Sequence, residues 1–186
     1  MLTRQRLPLL LVILSMLLPS GLLADQTDTR LDALFETLQN SQDRSEVSET
    51  EMRIWAIWHE SGQSDIDDMM KEAAELTGVG DLLAAENIYA RIVKQAPEFS
   101  EGWNRRATVR FYMGDYDGSL ADIEQTLKLE PRHFGAMWGL GMILGLKQDY
   151  ERAILAFEKL LEINPNSMDA RPRIESLKQA IAAEAV

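Results

Sequence analysis

The residue types that carry most enzyme chemistry are scarce in this chain. It has two histidines, His59 and His133, and no cysteine. That excludes thiol catalysis, disulfides, lipid attachment at an N-terminal cysteine and most structural zinc sites. A histidine-rich metal site is excluded as well. His133 stands in Pro131-Arg132-His133-Phe134 with no nucleophile or carboxylate dyad placed beside it by the sequence. It reads as a turn residue bonding to backbone. His59 reads as the end of a helix, where the dipole favours it. There is no phosphate-cradling Gly-Lys-Ser/Thr loop, no dinucleotide turn, no HExxH and no nucleophile elbow. Gly135, Gly139, Gly141 and Gly145 follow helix periodicity and not a phosphate loop; they permit close helix packing or thin the groove floor. Neither a metal nor a cofactor is expected. The formal charge of −11, with no basic stripe, argues against nucleic acid as a partner. What remains is recognition chemistry, and that depends on how the helices present their side chains.

Three prolines set the spacing of those helices. Pro97, Pro131 and Pro165 lie 34 residues apart. Each closes a pattern of two helices joined by a turn, with Gly80-Asp81, Gly114-Asp115 or Gln148-Asp149 at its middle. The first pattern spans 66–99, with Met69, Met70, Ala73 and Leu76, then Ala85, Tyr89 and Ile92. The second, 100–133, carries Trp103, Ala107, Ser119, Ile123 and Thr126. The third, 134–167, carries Leu140, Gly141, Tyr150, Ala153 and Phe157. Residues 168–186 form a further helix whose stripe is Ile174, Leu177 and Ile181, with Pro172 in its first turn. It covers the last open face of the stack. Alternating apolar and polar runs are missing, so strands are not expected.

Upstream, residues 25–65 hold another helix pair. Leu31, Leu34, Phe35 and Leu38 mark a helix from about Thr29 to Asn40. Ser48 and Glu51 form either a capping box or part of a longer helix beginning near Ser45. Met52, Ile54, Trp55, Ile57 and Trp58 follow. The pair falls in the 34-residue frame, but Glu51 stands where a small residue is required. It reads as a degenerate repeat or N-terminal cap whose Trp55 and Trp58 pack against the next repeat. Residues 1–24 read as a secretory signal peptide: Arg4 and Arg6, the apolar run Leu7 to Leu18, and Ala24 at the expected cleavage site. Pro8 and Pro19 bound that run below the ~20 residues of a spanning helix. The alternative is an uncleaved inner-membrane anchor facing the periplasm, the only membrane contact expected. Arg4 and Arg6 leave with the segment, giving an acidic periplasmic chain of charge −13.

The 34-residue period, with Leu140-Gly141, then Ala153-x3-Phe157, then Pro165, resembles the tetratricopeptide repeat family. Ala85-x3-Tyr89 with Pro97, and Trp103 with Pro131, repeat the frame. The segments EGWNRRAT and LEPRHFGA further resemble a group of exported bacterial proteins of that family. The resemblance implies an all-α, right-handed α-solenoid of antiparallel helix pairs: three repeats, a degenerate N-terminal pair and a C-terminal capping helix. Arg106 and Arg110 depart from the pattern, standing where it places packing residues. They are expected to snorkel or to pair with Asp122 or Glu124.

The resemblance also places a concave groove on the first helix of each pair. Its candidate residues are Met70 and Lys71, then Asn104, Arg105, Thr108, Phe111 and Tyr112, then Trp138 and Met142, and Arg173 from the cap. Large apolar side chains on a solvent-facing groove mark an interaction site. The carboxylate clamp by which some members grip chaperones is not supported, because its positions hold Met70, Ala74, Arg105, Gly135 and Gly139. Asp67 and Glu101, the only acids that would support catalysis in the groove, read as solvated. The function implied is a non-enzymatic scaffold binding a peptide or partner helix. The alternative is a structural subunit that oligomerises or supports assembly of a cell-envelope complex.

Overall fold

The computed structural model describes residues 28–184. The expected signal segment lies outside the described residues. Among them the chain forms nine helices and no strand: α1 Arg30–Asn40, α2 Arg44–Trp58, α3 Ser64–Gly78, α4 Leu82–Gln95, α5 Ser100–Met113, α6 Tyr116–Leu129, α7 Phe134–Leu146, α8 Tyr150–Ile163 and α9 Ala170–Glu184. No helix among the described residues is long and apolar enough to cross a membrane. Consecutive helices from α3 to α9 pack on one another in an all-α solenoid.

The repeated turns have a local cause. Asp81, Asp115 and Asp149 each cap the following helix by accepting the backbone N–H three residues on. The residue before each aspartate is left-handed: Gly80 at φ 83°, Gly114 at 81° and Gln148 at 62°. Two glycines accept that conformation at no steric cost; Gln148 does not. Within each pair a small residue allows close approach. In the last pair Phe157 is fully buried over Gly141, where a Cβ would come within 2.6 Å of the ring.

Arg106 and Arg110 fill the groove between α4 and α6. Arg106 grips the buried Asp122 with two bonds, at 2.8 and 2.7 Å. Arg110 bridges Asp122 at 3.0 Å and Glu86 of α4 at 2.9 Å. Asp122 is thus the partner and Glu124 is not. One repeat later the matching positions are Leu140 and Leu144. They floor an open apolar cleft of about 880 Å³ between α6 and α8.

The α1–α2 hairpin does not extend the stack in front of α3. Its apolar face joins the core of the last repeat, where Leu31, Phe35 and Trp58 share a cluster with Phe134, Phe157 and Leu160. Trp58 stacks on His133 at 4.1 Å and 8°, and Trp55 meets Phe134 edge-on at 5.4 Å. The expected packing against the next repeat is therefore corrected: the tryptophans pack on the last repeat, 134–167, and on His133 in the turn before it. Polar latches hold the hairpin to the inter-repeat turns. Arg132 donates to Asp32 at 2.7 Å, Asn164 to Glu51 at 2.5 Å, and Asn166 to the Ser41 carbonyl at 3.1 Å. Helix α2 begins at Arg44 under an Asp43 cap, so Ser48 lies inside it and forms no capping box.

Candidate functional site: the concave groove

Helices α5 and α7 present their inner faces across a shallow cavity of about 180 Å³. Six of the expected groove residues meet there: Asn104, Thr108, Phe111 and Tyr112 from α5, Trp138 and Met142 from α7. Ser119 and Ile123 of α6 form its floor with Gly139. Tyr112 is 61% exposed, so a large ring stands open to solvent. Phe111 supports it edge-on at 5.8 Å, and Tyr116 packs on Phe111 at 5.7 Å. Trp138 is fixed against Phe157 at 5.1 Å. The rings are thus held by the core beneath them, which lowers the entropy lost when a ligand docks.

The remaining expected residues occupy the two ends. Met70, Lys71 and Arg105 line a second cavity of about 240 Å³ with His59 and Tyr89. Met70 is buried, so only its edge is presented. Arg173 lies at the opposite end, in a depression shared with Trp138 and Asp169.

Glu101 departs from expectation. It is fully buried, not solvated, and it organises the Arg105 end. Its carboxylate receives Asn104 Nδ2 at 2.8 Å, Arg105 Nε at 2.5 Å and His133 Nε2 at 3.0 Å. The cause is the hairpin. Trp58 covers His133 from one side, and His59 reaches Arg105 at 2.5 Å and Glu101 at 3.5 Å. Burial alone would raise the Glu101 carboxyl. The His133 hydrogen bond and the Arg105 charge outweigh it and hold the group at about 2. His133 bonds to backbone as expected, since its Nδ1 accepts the Ala136 N–H at 3.1 Å and caps α7. That fixes the ring proton on Nε2, facing Glu101. Both ring nitrogens are occupied structurally, and neither points into the groove. Among the described residues no group of three or more histidines and carboxylates is placed to hold a metal ion.

Three groove-wall residues went unseen in the repeat frame: Glu51 and Trp55 on α2, and His59 at its C-cap. Their spacing of four residues places them on one helix face. That spacing was the available signal, but only the docked position of the hairpin gives it meaning.

Antiparallel helix pairs at a 34-residue period, with an open inner face, define a repeat-type α-solenoid. The tetratricopeptide repeat family model matches residues 104–167. A TPR repeat-containing protein of Rhizobium etli is 34% identical over 153 residues, covering 82% of this chain and 75% of the relative. The chain belongs to the tetratricopeptide repeat family. Solved structures agree on the fold. The first TPR domain of Spaghetti (RPAP3), bound to an HSP90 peptide, superposes with a TM-score of 0.61 at 20% identity, covering 63% of this chain and 93% of that one. The Sgt2 TPR domain from Aspergillus fumigatus gives 0.62 at 22% identity, covering 66% and 83%.

Proposed function

We propose that the chain is a non-enzymatic scaffold that binds a peptide or partner helix in its concave groove. The observation that carries this reading is the convergence of Phe111, Tyr112, Trp138 and Met142 on one open cavity. Aromatic anchors on a rigid scaffold supply most of the affinity in such recognition. The similar TPR domain of Spaghetti (RPAP3), solved bound to an HSP90 peptide, supports a peptide as the occupant. Lys71 draws acidic groups to the α3 end; Arg105 contributes less there, because Glu101 already opposes its charge. The scaffold is an exported bacterial protein of the periplasm. Support for that comes from the basic and then apolar residues 1–24 and from the acidic remainder of the chain.

Affinity capture from periplasmic extract tests the groove. Tyr112→Ala with Trp138→Ala should lose the partners that the wild type retains, with affinity falling at least about tenfold. Equal capture by both would remove the assignment. The alternative is a structural subunit that oligomerises or supports assembly of a cell-envelope complex, favoured by Leu155, which stands 61% exposed on the lip of the cleft between α6 and α8. Sedimentation at several concentrations separates the two: the scaffold is a monomer without ligand, and the subunit self-associates.

A further inference from the structure

Between the docked hairpin and the last repeat lies another cavity, of about 270 Å³. Its walls carry two indole rings, Trp55 of α2 and Trp138 of α7. They also carry two carboxylates, Glu51 of α2 and Asp169 in the turn before α9. Glu51 and Trp55 are one helical turn apart, so they stand on the same face. Both rings are anchored. Trp55 packs edge-on against Trp58 at 5.3 Å, and Trp138 against Phe157 at 5.1 Å. Glu51 accepts one hydrogen bond, from Asn164. Among the described residues neither Glu51 nor Asp169 enters an ion pair. Arg173 shares the adjoining depression with Trp138 and Asp169.

We propose that this cavity binds an organic cation: the guanidinium or ammonium group of an arginine or lysine side chain on the peptide that occupies the groove. The inference rests on the peptide-binding reading and adds a charge requirement to it. Indole faces attract cations through their quadrupoles, as Trp55 already does with the Arg105 guanidinium 6.0 Å from its ring centre, and the flanking carboxylates supply the counter-charge. An anionic group would be repelled by both features. Trp138 also lines the central groove cavity, so an apolar side chain seated there leaves its neighbour in reach of Glu51 and Asp169. The net charge of −11 steers a basic partner toward the molecule. A small quaternary ammonium compound offers the same chemistry from another source.

Titration calorimetry on the full chain tests the site. The probes are a leucine-rich peptide with one central arginine, the same peptide with citrulline in its place, and tetramethylammonium chloride. The arginine peptide should bind on the order of tenfold more tightly than its citrulline twin, and it should shift tryptophan emission. Glu51→Gln keeps the acceptor that Asn164 uses, and Asp169→Asn changes an exposed turn residue, so both variants should melt with the wild type. Each should lower the arginine preference several-fold, and together they should abolish it. Tetramethylammonium that displaces the arginine peptide supports the cavity; binding it more tightly than the peptide makes a small cation the natural source. Equal affinity for the arginine and citrulline peptides, with both lost in Tyr112→Ala, would overturn the cation site and leave the groove standing. Failure of all three probes to bind at millimolar concentration would overturn it as well.

Discussion

Glu101 shows how a single residue changes meaning when its surroundings change. By its place in the repeat frame it belongs to a solvated inner face. In the structure Trp58, His133 and His59 close over it, and its carboxylate becomes the hub of a buried network. Nothing in the 34-residue period announces this, because the residues that bury it come from a hairpin outside the period. The acid response follows directly. The folded carboxyl is held at about 2, below its ordinary value of 4.5, so ionised Glu101 stabilises the fold above about pH 4.5. That contribution drains away as the pH falls toward 2. Over the full window it amounts to roughly 3 kcal/mol. Glu101→Gln should flatten this part of the stability–pH curve in urea titrations. An unchanged acid limb would mean that the carboxylate is not the hub described. Arg106 and Arg110 tell a complementary story. Their charge required a partner, and Asp122 was legible as one. Glu86 was not, since it sits on the preceding repeat.

At the level of helices and turns, sequence and structure agree because the determinants are local. An aspartate cap, a left-handed residue before it and a proline after the second helix recur at one spacing, and each acts within a few residues of itself. Gln148 is the imperfect copy. It holds φ 62° without being glycine, while Gly80 and Gly114 fill the matching places. Gln148→Gly should therefore stabilise the chain by about 0.5–1 kcal/mol, the reverse of the usual glycine effect. Thermal melts would show a rise of a few degrees; a fall would mean that the turn is not strained. Phe157 tests the packing of the same pair. It is fully buried over Gly141, and Phe157→Ala should cost ~3–5 kcal/mol by denaturant titration. The ambiguous start of α2 was settled by Asp43, whose carboxylate accepts from both Ser45 and Glu46. Ser48 and Glu51 matched a capping pattern by coincidence of spacing.

On the scale of the molecule, a solenoid is expected to be quasi-one-dimensional, each unit touching only its neighbours. The hairpin breaks that rule. It precedes α3 in sequence but docks on the Arg132 and Asn164 turns and shares its core with Phe134, Phe157 and Leu160. The first repeat keeps a separate core around Ile66, Tyr89 and Ile92. This long-range docking could not be read from periodicity, which reports what each helix buries but not which distant helix it meets. It has a distinctive consequence for stability. In a simple repeat array, loss of the N-terminal unit loosens the unit next to it. Here removal of residues 28–60 strips the cover from His133, Phe134 and Leu160 while leaving the Ile66–Tyr89 core intact. Native-state hydrogen exchange on such a truncation should show protection falling most in α7 and α8, with α3 and α4 little changed. The pattern expected of a linear stack is the opposite, with α3 and α4 opening first. Finding it would mean that the hairpin caps the first repeat, and that the groove wall built from Glu51, Trp55 and His59 does not exist.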